Sequence, residues 1–226
     1  MPPEFNPDYA ALFDNNRRWV RRVSETRPDF FPKLARQQAP KYFWIGCADS
    51  RVPANEVIDL APGEVFVHRN VANVMPHSDM NSMSTLQFAV DVLRVEHILV
   101  VGHYGCGGVK AVLDGARVGL VDNWLGHVGD VMERHADRLA AVPAEQRWDR
   151  LCELNALDQA HNVCRTTVLQ DAWARGQRVE VHACCYGLND GLLRDLGLAM
   201  RAGQVLSERF GSALEFVDHG VTGDSR

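Results

Sequence analysis

The sequence has no run of roughly eighteen apolar residues, which excludes an ordinary membrane-spanning helix. It has no surplus of positive charge either. The 24 Lys and Arg stand against 29 Asp and Glu, a formal net charge of -5, so nothing in the overall balance draws the chain to nucleic acid or to an anionic membrane. The amino end, MPPEFNPDYA, lacks both a basic segment and a following apolar run, and no secretory signal is read there. The expected location is the cytoplasm. No CxxC pair suggests thiol exchange, and neither GxGxxG nor GxxxxGK[ST] occurs, so dinucleotide and phosphate binding have no motif behind them. Linkers, repeats and low-complexity tracts are missing as well. The six cysteines, Cys47, Cys106, Cys152, Cys164, Cys184 and Cys185, are weak evidence for disulfides in a chain this large.

What is present is ordinary globular composition, 46% hydrophobic and 23% charged over 226 residues. That length favours one domain, here residues 1-226, able to bury a core without covalent staples. Residues 5-24 have helical apolar spacing through Phe5, Tyr9, Leu12, Phe13, Trp19, Val20 and Val23, and Pro28 and Pro32 interrupt the segment after them. Residues 1-35 are therefore read as an arm whose apolar side needs a receptor, naturally a partner subunit. Beyond it, YFWIGC (42-47), VFVH (65-68), HILVVG (97-102) and RVEVHA (178-183) read as strands, and ALEFV (213-217) as a last edge strand. Helical patterns cover 81-94, 120-139 and 150-174, and a further helix can start at Val52-Pro53. Strands recurring between helices predict an α/β domain with a mostly parallel sheet.

Two strand ends carry the chemistry. CADSR places Cys47, Asp49 and Arg51 after one strand, and GHYGCGG places His103 and Cys106 after another. Loops leaving the carboxyl ends of parallel strands form the usual crevice, so the clusters can converge. A cysteine after a buried strand is commonly just a small hydrophobe. The repeated pattern argues instead for Zn²⁺ held by two thiolates and one imidazole, with water, a substrate atom or the Asp49 carboxylate in the fourth position. Asp49 can coordinate the metal or pair with Arg51 and leave that position open. Ser50 can cap the following turn.

The segments CADSRVP (47-53), GEVFVHRNVAN (63-73) and GHYGCGG (102-108), continuing through WLGHVGD, LCELN and YGLNDGLL, resemble the β-class carbonic anhydrases over about residues 5-217. The resemblance implies a lyase that interconverts carbon dioxide and bicarbonate with one Zn²⁺ per subunit. Cys47, His103 and Cys106 would be its ligands, and Asp49 and Arg51 a switching dyad. It also implies a central, mainly parallel four-stranded sheet with an antiparallel edge strand and flanking helices. The amino-terminal helical arm would wrap a neighbour in a homodimer that can pair into a tetramer. Trp44, Gly46, Arg69 and Tyr186 resemble the noncatalytic bicarbonate pocket of a regulated bacterial branch, in which bicarbonate favours the Asp-ligated state. Two rivals remain: the same metal chemistry on carbon disulfide or carbonyl sulfide, and a zinc-stabilised regulatory protein whose fourth ligand never opens.

Overall fold

The computed structural model describes residues 7-36 and 38-221. The chain divides into two compact units, Met1–Gln38 and Ala39–Arg226. In the first, helix α1 (Pro7–Thr26) is followed by α2 (Phe30–Arg36). Asp8 lies in the first turn of α1, where a negative charge suits the helix dipole. Pro28 falls between the helices, and Pro32 is tolerated in the first turn of α2 because that amide has no intrahelical acceptor. Trp19 meets Phe31 edge to face at 5.3 Å. Tyr9, Leu12 and Phe13 are exposed on α1, while Val23 is buried. Phe5, also assigned to the predicted first helix, lies outside the described residues.

The second unit runs β1 (Tyr42–Cys47), α3 (Ala54–Val57), β2 (Val65–Asn70) and α4 (Met80–Gln87), then a π turn over Phe88–Val92. It continues with β3 (His97–His103), α5 (Gly107–Leu113), α6 (Val121–Arg134), α7 (Ala136–Ala140), α8 (Arg147–Arg165) and α9 (Thr167–Ala174). The last elements are β4 (Glu180–Tyr186), β5 (Leu193–Met200) and α10 (Leu206–Asp218). The sheet order is β2-β1-β3-β4-β5, with the first four strands parallel and β5 antiparallel to β4. This is the expected α/β architecture. The nearly unbroken apolar runs of β1 and β3 are explained by their central place, with side chains covered on both faces.

One face of the sheet carries the larger core, centred on α8, which packs on β3 and β4 and is buried along most of its length. The opposite face holds a smaller cluster around Trp44, Val52, Val101 and Cys184. The predicted 150-174 helix is two helices. Thr166 turns extended between α8 and α9, and its hydroxyl accepts a hydrogen bond from Leu169 N–H at 3.3 Å.

The predicted edge strand at 213-217 is wrong. Those residues lie in α10, with Ala213, Leu214 and Val217 buried at helical rather than alternating spacing. The edge strand is β5. Gly197 there has φ of 78°, and a Cβ at that position would meet the Phe216 ring of α10 at 3.1 Å. The two segments pack on each other, which is why an apolar stretch exists at both.

Candidate metal centre

β1 and β3 are parallel neighbours that end at Cys47 and His103, so adjacent strand ends deliver both residues to one edge of the sheet. The chain then turns through Gly105, at φ of 73°, and returns Cys106 to the start of α5. Cys47 Sγ and Cys106 Sγ are 4.0 Å apart. With one ring nitrogen of His103, their ligand atoms all lie within 4.8 Å of one another, and all three residues are buried. Two sulfurs bound to one tetrahedral zinc at about 2.3 Å would stand about 3.8 Å apart. The set fits that ion.

The histidine is prepared for the same role. Its Nδ1 faces the Tyr104 carbonyl at 3.1 Å, and a carbonyl can only accept, so Nδ1 carries the proton. Nε2 is then a lone-pair donor, buried and without a hydrogen-bond partner. Hydrogen bonding between the sulfurs pulls the Cys47 thiol down and pushes the Cys106 thiol up, as two adjacent anions require. A divalent cation between them allows both to be thiolates.

Asp49 sits at the solvent side of this centre. Arg51 grips it twice, Nε to Oδ1 at 2.9 Å and Nη2 to Oδ2 at 2.6 Å, and the Arg51 N–H adds a third bond to Oδ1 at 2.9 Å. These bonds hold the Asp49 carboxyl well below the usual carboxylate range. Its Oδ2 lies 3.8 Å from His103 Nε2, beside the ligands but committed to the guanidinium. The turn is thus held by Asp49, whose backbone also accepts from Val52 N–H, and not by Ser50. A cleft of about 710 Å³ adjoins this side, lined by Arg51, Tyr104, Trp148 and Glu153 among others.

On the other side, α8 and the turn after β2 brace the cysteines. Ala72 N–H donates to Cys47 Sγ at 3.4 Å, while Asn155 of α8 donates to the Ala72 carbonyl at 2.8 Å. Ala72 stands at φ of 63°, a left-handed conformation rare for a residue with a side chain. The Trp148 indole donates to the Cys106 carbonyl at 3.0 Å. Tyr104 hydroxyl donates to the Glu153 carboxyl at 2.7 Å, and Arg150 pairs with Glu153 at 3.0 Å. Sequence reading gave none of Ala72, Trp148, Asn155 or Glu153 a role. Ala72, Glu153 and Asn155 fall inside VAN and LCELN, but single polar or small residues in such blocks carry no chemical signature.

The four residues of the second predicted site lie on β1, β2 and β4. Trp44 and Tyr186 share the smaller apolar cluster, and Gly46 pairs in register with Arg69. A Cβ at position 46 would overlap the Trp44 indole nitrogen, which is buried and without a hydrogen-bond partner. Arg69 Nε donates to the Cys47 carbonyl at 2.9 Å, and its Nη2 donates to the Asp49 carbonyl. Cys184 and Cys185 are buried free thiols, and burial pushes both upward, Cys184 to about 12. Burial thus disfavours the thiolate at both positions.

A carbonic anhydrase family profile matches residues 42-193. A carbonic anhydrase of Emericella nidulans is 45% identical over 84% of this chain and 84% of its own length. Among solved structures, a Coccomyxa β-carbonic anhydrase in complex with acetazolamide superposes with a TM-score of 0.83 at 36% identity, covering 96% of this chain and 100% of that one. A tetrameric β-carbonic anhydrase of Sordaria macrospora gives a TM-score of 0.81 at 35% identity, over 86% and 100% of the two chains.

Proposed function

We infer, since the chain belongs to the β-class carbonic anhydrases and so is a zinc-dependent lyase interconverting carbon dioxide and bicarbonate, that Cys47, His103 and Cys106 hold its one zinc per subunit. When bound there, zinc supplies a Lewis acid that makes water a competent nucleophile near neutral pH. Asp49 and Arg51 do the organising. The guanidinium keeps Asp49 ionised and committed to Arg51, and the carboxylate edge would accept a hydrogen bond from the attacking water and orient it. The observation that carries this reading is the two-pronged Arg51–Asp49 pair with Oδ2 at 3.8 Å from His103 Nε2. Its test joins metal analysis with stopped-flow carbon dioxide hydration on the same preparation. Wild type should hold zinc at this centre and turn over, whereas C47A and C106A should lose zinc affinity there by more than the roughly 10-100-fold typical of losing an outer partner. A folded C47A with full zinc and full turnover would remove the ligand assignment. Carbon disulfide and carbonyl sulfide, offered to the same protein, separate the substrate rivals.

The regulated-branch reading joins Trp44, Gly46, Arg69 and Tyr186 into a noncatalytic bicarbonate pocket. Its support is the unpartnered Trp44 N–H over Gly46, the strand partner of Arg69, whose fork reaches the backbone on both sides of Ala48. An anion that drew Arg69 away would release the Asp49 carbonyl, and the Asp49 turn would then be free to leave Arg51 for the cysteine–histidine centre. Bicarbonate must bind that closed state more tightly to shift the balance, by about 1.4 kcal/mol for a tenfold preference. R69A should weaken bicarbonate inhibition while keeping zinc, and unchanged inhibition would reduce it to product binding at the metal.

Leu12, Phe13 and Trp19, exposed on α1, support an arm that docks on a second copy, in a dimer or a tetramer. Deletion of residues 1-35 should lower the assembly state in sedimentation. Six buried free cysteines suit the reducing cytoplasm, and no described helix is long and apolar enough to cross a membrane.

A further inference from the structure

The sheet carries a second three-donor group at the opposite, amino-terminal end of its central strands. His97 and Glu180 are the first residues of β3 and β4 and are direct partners in the parallel register; Leu99 pairs with His182 in the same way. The period of two along a strand puts Glu180 and His182 on one face, and the register sets His97 beside them. Six residue steps along β3, about 20 Å, separate His97 from His103, so this group is independent of the cysteine centre.

Its geometry is that of a chelate. His97 Nδ1 and His182 Nε2 face each other at 3.1 Å, and Glu180 Oε2 lies 3.7 Å from His182 Nε2. One donor atom from each of the three residues lies within 4.8 Å of the others. Around an ion with bonds of about 2.05 Å, these separations subtend angles of about 100° and about 130°, bracketing the tetrahedral value. The ligands are also held. His97 stacks on Tyr42 with centroids 5.6 Å apart, and Arg201 holds the other Glu180 oxygen at 3.4 Å. All three are half-buried, and a cavity of about 340 Å³ beside the two histidines leaves room for water as a further ligand.

We propose that His97, Glu180 and His182 form a second site for a borderline divalent cation of the zinc type. A two-histidine, one-carboxylate set with an open position suits such ions, and donors on regular strands are better fixed than donors on loops.

The test uses the full chain with its first zinc in place, dialysed against buffered micromolar Zn²⁺ and analysed for metal per chain. Wild type should take up two equivalents. H97Q and H182Q should take up one, with unchanged circular dichroism and carbon dioxide hydration, and E180Q should need at least tenfold more zinc for the second. An anomalous map of the wild type should place the added ion between these three side chains. Cobalt loading gives an independent readout, because the second equivalent should add no thiolate charge-transfer absorption. One equivalent in wild type at saturating zinc would overturn the site, as would a second equivalent that persists in both histidine variants.

Discussion

The two sides of the cysteine–histidine centre are built from opposite materials. On the solvent side, a short turn presents Asp49 and Arg51, and the Arg51 side chain remains 58% exposed against 17% for Asp49. On the helix side, Ala72, Asn155 and Glu153 are buried, and Trp148 is half-buried, all within a network fixed by α8. The difference assigns labour. A side chain with one strong partner and open solvent beside it can exchange that partner, so the exposed side suits a switch. A buried polar group without its partner costs about 1-3 kcal/mol, so the helix side suits permanent support of the ligands.

The strongest way to break this contrast is Arg51→Ala. It frees Asp49 on the exposed side and leaves every buried support intact. Zinc content should stay at the wild-type level, while turnover falls about 100-fold, the scale of losing one positioning contact. Wild-type kinetics in zinc-loaded R51A would show that Asp49 needs no restraint.

A change on the buried side should act on stability and metal retention before turnover. Ala72→Val puts a β-branched side chain at φ of 63° in a site with no exposure, and should cost about 1-3 kcal/mol in denaturant unfolding of the zinc-free protein. Trp148→Phe is gentler. It removes the N–H that holds the Cys106 carbonyl together with part of the ring but keeps an aromatic in place, so zinc affinity should fall about 10-fold in chelator competition while the loaded fraction turns over normally. If W148F lost turnover and kept its zinc affinity, the division of labour would be reversed.

Much of the solvent side was legible in the sequence, because its chemistry is written in residue types that declare themselves. Cysteine, histidine, aspartate and arginine at strand ends announce ligands and charges before any fold is known. The helix side was not, because Ala72 acts through its backbone N–H and Asn155 through a carbonyl it happens to reach. Their roles exist only once α8 lies against the turn after β2. The sheet shows the same limit. Buried strands β1 and β3 were readable as apolar runs, but LRDLGLAM in β5 has charges, a glycine and helix-forming residues, so the edge was sought in ALEFV. Burial at 213, 214 and 217 is helical spacing that five residues are too few to reveal.

The finest test compares the two carboxyl groups themselves. Arg51 pulls Asp49 below the ordinary range, whereas burial raises Glu153 despite bonds from Tyr104 and Arg150. A folded state that holds the Glu153 proton more tightly than the unfolded chain is favoured at low pH. Its advantage is present below the unfolded value of about 4.3 and is lost as pH rises through the folded value. Glu153→Gln keeps an oxygen for the Tyr104 hydroxyl and cannot ionise. The stability of E153Q relative to wild type should therefore increase from acid toward neutral pH, read from urea midpoints at matched slopes. Proton release on zinc loading is common to both proteins and cancels in the difference. Arg150 loses the Glu153 carboxylate in the variant but keeps Asp218 at 3.1 Å, and since burial raises Glu153 even with Arg150 in place, the direction of the pH trend stands. Parallel pH curves for the two proteins would mean that Glu153 ionises as easily as a solvent carboxylate, and the contrast between the two sides would then rest on Asp49 alone.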